Sequence, residues 1–170
     1  LNDDGETYSV KALNTDIEGA VIIPTTYDGK SVTSIGEDAF RYCNSITSVI
    51  IPNMIRNLGN YSFKGCKNLR NVSLGDFITS IPEGCFNDCM ALTNIVIPSS
   101  VIDIGVDSFN GCYSLCNIQL SSNLSTIQSG AFKSCSFKEI EIPNSVKSIG
   151  YEAFESCTSL KKLVIPDSVE

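Results

Sequence analysis

A strand-dominated solenoid of stacked short coils is the fold class this sequence predicts, and three observations predict it. Six phenylalanines, Phe40, Phe63, Phe86, Phe109, Phe132 and Phe154, stand 23, 23, 23, 23 and 22 residues apart in the 170-residue chain. A cysteine follows each of them three residues later: Cys43, Cys66, Cys89, Cys112, Cys135 and Cys157. Apolar residues recur at fixed places before them, with Ile35, Leu58, Ile81, Ile104, Ile127 or Ile149 five residues ahead of each Phe and Val32, Ile55, Ile78, Val101, Leu124 or Val146 three before that. One coil of 23 residues cannot bury such columns by itself, whereas three or more stacked coils make a continuous core.

Each piece of the unit has a reading of its own. After the cysteine come the apolar triplets Ile46/Val49/Ile51, Leu69/Val72/Leu74, Leu92/Ile95/Ile97, Leu115/Ile118/Leu120, Phe137/Ile140/Ile142 and Leu160/Leu163/Ile165. They end in alternation, the period of a strand with one buried face. Pro24, Pro52, Pro98, Pro143 and Pro166 close these strands. A second short extended stretch follows, as in Val101–Gly105, with Gly36, Gly59, Gly105 and Gly150 as a permissive corner. From the corner to the cysteine the chain is expected to make one short helical or 3₁₀ turn that buries pairs such as Ala39–Phe40 and Ala153–Phe154. The single 22-residue step reflects one residue missing between Cys135 and Phe137.

Residues 1–20 lack the repeat, and Tyr8–Leu13 alternates like a strand, so this segment is expected to cap the first coil. The repeats then run over residues 21–170 as about six coils, the last of them truncated. The chain stops at Pro166–Glu170, part-way through a unit. The expectation is that the native protein continues, and that this fragment self-associates through the edge strand bearing Leu160, Leu163 and Ile165.

The units Ile97–Gly105 through Phe109–Cys112, and Ile142–Gly150 through Ala153–Cys157, resemble the BspA-like leucine-rich repeat family. Val21–Gly36, with its Tyr27-Asp28-Gly29-Lys30 insertion, resembles the first repeat usual in that family. The resemblance covers residues 21–170 and implies an α/β leucine-rich-repeat solenoid: a right-handed coil with a concave parallel β-sheet and the short helical or 3₁₀ turns on the convex side. It also implies a setting on microbial cell surfaces, where several members adhere to host proteins or to other cells. The chain departs from the pattern where Gly75 and Ser121 replace the strand-ending proline and where Pro82 and Gln128 replace the corner glycine. These departures are expected to loosen local geometry in the third and fifth units.

Composition excludes several classes of function. Twelve basic residues against 19 acidic ones give a net charge of −7, with no basic stripe of the kind nucleic acids require. Residues 1–40 alone carry −6, which reads as a solvated acidic cap; Asp3-Asp4-Gly5-Glu6 lacks the spaced oxygen ligands of a calcium loop. The absence of histidine removes histidine-based triads, His-ligated zinc and the commonest general base. Apolar runs such as Ala20–Ile23 reach four residues, against the roughly 20 of a membrane-spanning helix.

Eight cysteines would ordinarily announce a disulfide framework, but stacked coils place equivalent side chains parallel and about 4.8 Å apart, a poor geometry for bridging. A ladder of buried reduced thiols is expected for the six repeat cysteines. Cys85 falls in the small-residue column with Ala39, Ser62, Ser108, Ala131 and Ala153, and Cys116 takes a solvent-facing place as an exposed free thiol. No metal, cofactor or catalytic set emerges. Glu139 and Glu141 share a strand face, but the nearby Lys138, Lys161 and Lys162 are expected to neutralise them.

Two outward columns per repeat remain for binding on the concave face. One reads Ile22, Ile50, Ser73, Val96, Gln119, Glu141 and Val164; the other reads Ser48, Asn71, Asn94, Asn117, Glu139 and Lys162. The candidate binding residues are Ile50, Asn71, Ser73, Asn94, Val96, Asn117, Gln119 and Glu141. Two readings stand for the apolar ones: β-branched residues favour strands even when exposed, or they form a shallow protein-binding surface. Three readings stand for the asparagines: hydrogen bonds along the stack, plain repeat duplication, and ligand recognition. The function expected is a non-enzymatic, protein-binding module, extracellular or at the cell surface, without cofactor, whose partner is a host matrix or cell-surface protein. The alternatives are a structural spacer without its own ligand and an intracellular interaction scaffold.

Overall fold

The computed structural model describes residues 1–170 as a solenoid built from strands and turns. In chain order the strands are β1 (Tyr8–Val10), β2 (Gly19–Ile22), β3 (Thr26–Tyr27), β4 (Lys30–Ile35), β5 (Ile46–Ile50), β6 (Asn57–Leu58), β7 (Asn71–Ser73) and β8 (Ser80–Ile81). They continue as β9 (Asn94–Val96), β10 (Asp103–Ile104), β11 (Asn117–Gln119), β12 (Thr126–Ile127), β13 (Glu139–Glu141), β14 (Ser148–Ile149) and β15 (Lys162–Val164). One row pairs in parallel as β2–β5–β7, β9–β11 and β13–β15, and is called the concave sheet here after the family expectation. A second row of shorter parallel strands runs β1–β4–β6 and β8–β10–β12–β14. β3 folds back on β4 through Asp28 and Gly29 at φ of 48° and 73°, the two positive values that a type I′ hairpin demands.

The ladders reproduce the repeat register. Val49 lies opposite Val72, Ile95 opposite Ile118, and Ile104 opposite both Ile81 and Ile127. Thirty-eight buried residues form one core from Ile23 to Cys157, as the stacking argument requires. Within it the phenylalanines stack ring on ring, with centroids 5.2–5.6 Å apart and planes within 18° from Phe40 to Phe154. Where the coil is one residue short, Phe137 occupies the column that holds Ile or Leu elsewhere. Its larger ring meets Phe132 edge-on at 5.7 Å and fills the space that the missing residue leaves.

The expected helical or 3₁₀ turns between corner and cysteine are absent, and the hydrogen bonds give the reason. Only alternate amides bond three residues back, as Asn87 does to Gly84 and Cys89 to Phe86. The amides between them point along the solenoid: Gly84 donates to Val106, Phe86 to Ser108 and Asp88 to Asn110. A helix would commit every amide to its own coil, whereas here half of them join coil to coil. Two left-handed residues per coil make this possible, for example Asp38 and Tyr42, Gly84 and Asp88, and Asp107 and Gly111. The corner glycines Gly59, Gly105 and Gly150 have no positive φ. They are required by close approach, since a Cβ on Gly150 would sit 2.3 Å from the Ser129 amide nitrogen.

Candidate binding surface

The concave sheet carries the expected alternation. Asn94 and Val96 face solvent around buried Ile95, and Glu139 and Glu141 do so around buried Ile140. All eight candidate residues are exposed on this sheet, with Ile50 48% and Val96 57% accessible. Their columns are in register, Ser48 beside Asn71, Ile50 beside Ser73, and Val96 beside Gln119. Ile22, 69% exposed, lies directly beside Ile50, so these two make one apolar patch. Val96 belongs to a separate patch beyond Ser73.

Among the polar residues one of the open readings falls away and one expectation needs correction. Asn71, Asn94 and Asn117 do not bond to one another along the stack; the only side-chain bond in that column runs from the Thr93 hydroxyl to Asn94 at 3.1 Å. The lysines do not neutralise the strand carboxylates through ion pairs. Lys162 lies beside Glu139 in the ladder, yet the three ion pairs of the molecule join Arg41 to Asp38 and Lys133 to Glu152 and Glu155, all on the turn-rich side. Glu139 and Glu141 therefore present free carboxylates to the concave face.

The concave sheet is also interrupted twice. No ladder joins β7 to β9 or β11 to β13. At the other steps the residue before proline donates its amide to the next coil: Ile23 to Ile50, Ile51 to Ser73, Ile97 to Gln119 and Ile142 to Val164, at 2.8–3.1 Å. Proline holds its predecessor in the extended region and keeps that amide in register. Leu74 and Leu120 precede Gly75 and Ser121 instead, and neither makes the bond. As a result Val72 and Ile118 are half-buried where their counterparts Val49, Ile95 and Ile140 are buried, and Leu74 and Leu120 are half-buried where Ile51, Ile97 and Ile142 are buried. Sequence reasoning flagged the two missing prolines but not the clefts they open.

The thiols form the expected ladder and have a role in it. Cys66, Cys89, Cys112, Cys135 and Cys157 each donate an S–H to the carbonyl of the Phe one coil earlier, at 3.1–3.4 Å. Cys85 lies 3.3 Å from the Ser62 hydroxyl in the small-residue column. All eight cysteines are free, and only Cys116 is exposed. Burial pushes the Cys66 and Cys85 thiols up to about 12 and raises Cys89, Cys112 and Cys135 as well, so the reactive thiolate is scarce at neutral pH. A thiol-specific chromogenic reagent should titrate one fast group in the native chain and eight after unfolding. Three or more fast groups, or fewer than eight in total, would contradict the ladder.

The chain matches the model of the BspA type leucine-rich repeat region, in six copies, over residues 23–101 and 79–170. Among solved structures it is similar to a leucine-rich repeat protein of T. pallidum, at 32% identity and TM-score 0.91, over 98% of this chain and 78% of that one. It is similar to a leucine-rich repeat protein from Bacteroides ovatus at 27% identity and TM-score 0.66, over 95% of this chain and 49% of that one. It is also similar to the pneumococcal vaccine antigen PcpA at 26% identity and TM-score 0.79, over 97% of this chain and 44% of that one. The chain thus spans less than half the length of these last two proteins. No curated protein matches it. No helix is long and apolar enough to cross a membrane.

Proposed function

Because the chain belongs to the BspA-type leucine-rich repeat family, we propose that it is a non-enzymatic protein-binding module of a microbial cell-surface or secreted protein, adhering to host or other cells through the concave sheet. The observation that carries this reading is the exposure of Ile22 and Ile50 as one patch and of Val96 as a second, among polar side chains on the same face of the strand row. Exposed apolar residues grouped on one face are a mark of protein contact. Repeat folds present such faces as extended binding surfaces, and nothing in the chain points to catalysis. Likeness to an antigen of a pathogen supports the surface setting.

The test compares wild type with an Ile50→Lys/Val96→Lys double variant of matched circular dichroism and melting temperature, on immobilised host matrix proteins and cultured epithelial cells. Lysine is tolerated on an exposed strand face, so the fold is expected to survive while binding is lost. Equal binding by both proteins would remove the concave sheet from the reading. Binding by neither would favour a spacer without its own ligand. In the same proposal residues 1–20 act as the cap of the first coil, and the 170-residue polypeptide self-associates through the outer edge of β15, where Lys162, Leu163 and Val164 are exposed. Sedimentation velocity should then show dimers or larger species that Leu163→Lys dissolves; a monomer at all concentrations would contradict it.

A further inference from the structure

The interruption between β11 and β13 is more than a gap in a ladder. It opens a concavity of about 570 Å³ whose floor is Ile118, Leu120 and Ile140 and whose far side carries Glu139, Glu141 and Lys162. Its smaller counterpart between β7 and β9 holds about 230 Å³ and one carboxylate, Asp76, which bonds to Asn53. Only the larger cleft sets half-buried apolar residues, Ile118 and Leu120, beside carboxylates that make neither an ion pair nor a side-chain hydrogen bond, whereas Asp76 of the smaller cleft is held by Asn53.

We propose that this cleft receives an arginine side chain from an extended segment of the partner protein. The inference rests on the concave-sheet reading above and names the partner's chemistry. An arginine stem is apolar and its head is a planar cation, so stem over Ile118 and Leu120 with guanidinium at the rim matches the floor and the charge together. Glu139 and Glu141 are two residues apart on one strand, hence on the same face and about 6.5–7 Å apart, a separation one guanidinium bridges by donating to each carboxylate. Lys162 beside Glu139 opposes the incoming charge, whereas Glu141 lies opposite Val164 and meets no such opposition. The electrostatic part therefore has a defined sign at each position.

The experiment uses the 170-residue chain with labelled Ile, Leu and Val methyl groups, titrated with acetyl-Gly-Ile-Arg-Ile-Gly-amide and with the same peptide carrying citrulline, the uncharged isostere. The arginine peptide should displace the Ile118, Leu120 and Ile140 methyl signals in a saturable way, and the citrulline peptide should bind more weakly. Glu141→Gln should weaken the arginine peptide about three- to five-fold, as for an exposed charge pair, and Lys162→Gln should strengthen it. Ser121→Pro, which restores the residue type that keeps the other steps in register, should close the cleft and reduce binding without unfolding the chain; the Ser121 amide makes no backbone hydrogen bond that proline would remove. Equal binding of both peptides, or wild-type binding by Ser121→Pro, would overturn the proposal. Displacement confined to the Ile22, Ile50 and Val96 methyls would also overturn it, while leaving the concave-sheet reading in place. Silence at every methyl overturns the arginine site alone, since the matrix and cell assay judges the wider reading separately.

Discussion

Phe86→Ala should lower the unfolding free energy by about 3–5 kcal/mol, the range for removing a fully buried aromatic ring from a core that cannot collapse around the loss. Phe86 has no solvent exposure and lies between Phe63 at 5.5 Å and Phe109 at 5.4 Å, with near-parallel rings. These separations exceed the ~4.8 Å spacing of adjacent strands, so the rings are displaced sideways, the arrangement aromatic quadrupoles favour. Collapse is prevented because the coil-to-coil distance is held on both sides by backbone bonds from Phe63 to Cys85 and from Phe86 to Ser108. The matching control is Phe154→Ala at the end of the stack, where the ring is half-buried and has one stacked neighbour at 5.6 Å. That variant should lose about 1–2 kcal/mol, since less area and only one contact disappear. Urea denaturation of both variants reads the difference. A solenoid is a row of nearest-neighbour interfaces, so a defect at Phe86 should also broaden the transition by uncoupling its two halves. Equal and small losses at both positions would show that the ring stack is not what couples the coils.

Most of this architecture could be read from the chain because the repeat places every inner column at the same spacing. A column that returns every 23 residues has no other place to be buried than against its copies, and the Phe, Cys and strand columns all followed from that. The turn-rich arc could not be read in the same way. The residues from Gly105 to Cys112 suit a single helical turn locally, and what decides against it is the row of carbonyls at Ser129, Ala131 and Lys133 waiting on the next coil. That competition is between coils and leaves no local mark except the left-handed residues, which include Asp107 and Glu152 as well as glycines. The clefts were half legible: Gly75 and Ser121 stand out as missing prolines, but only the spacing to β9 and β13 turns a missing proline into an open ladder. Charge pairing between neighbouring strand residues failed as an expectation because sharing a register position does not bring two flexible head groups together.

Gly59→Ala should destabilise the chain by about 3 kcal/mol or more, the upper range for forcing atoms into a packed site, although the change ordinarily works the other way. Where a glycine has an ordinary φ and open surroundings, alanine stabilises by about 0.4–1 kcal/mol through the unfolded chain. Gly59 has no positive φ, so backbone strain is not the issue. The obstacle is that its Cβ would sit 2.3 Å from the Glu37 nitrogen and 2.4 Å from the Gly36 carbonyl carbon, backbone atoms that cannot rotate away. Relief requires the second coil to move off the first, and that movement stretches the bonds from Gly59 to Ile35 at 2.8 Å and from Asp38 to Asn60 at 3.0 Å. Gly36→Ala is the control. Its Cβ would meet the Ser9 hydroxyl oxygen at 3.2 Å and the Val10 carbonyl at 3.6 Å, and the serine can turn aside, so this variant should be neutral within about 0.5 kcal/mol. Pro82 and Gln128 occupy the same corner in other coils, so a side chain is tolerated there wherever the backbone of the preceding coil leaves room for it. Denaturation midpoints that fall for Gly59→Ala but hold for Gly36→Ala would place the requirement in the closeness of the coils; equal midpoints would return it to the conformation of the corner residue.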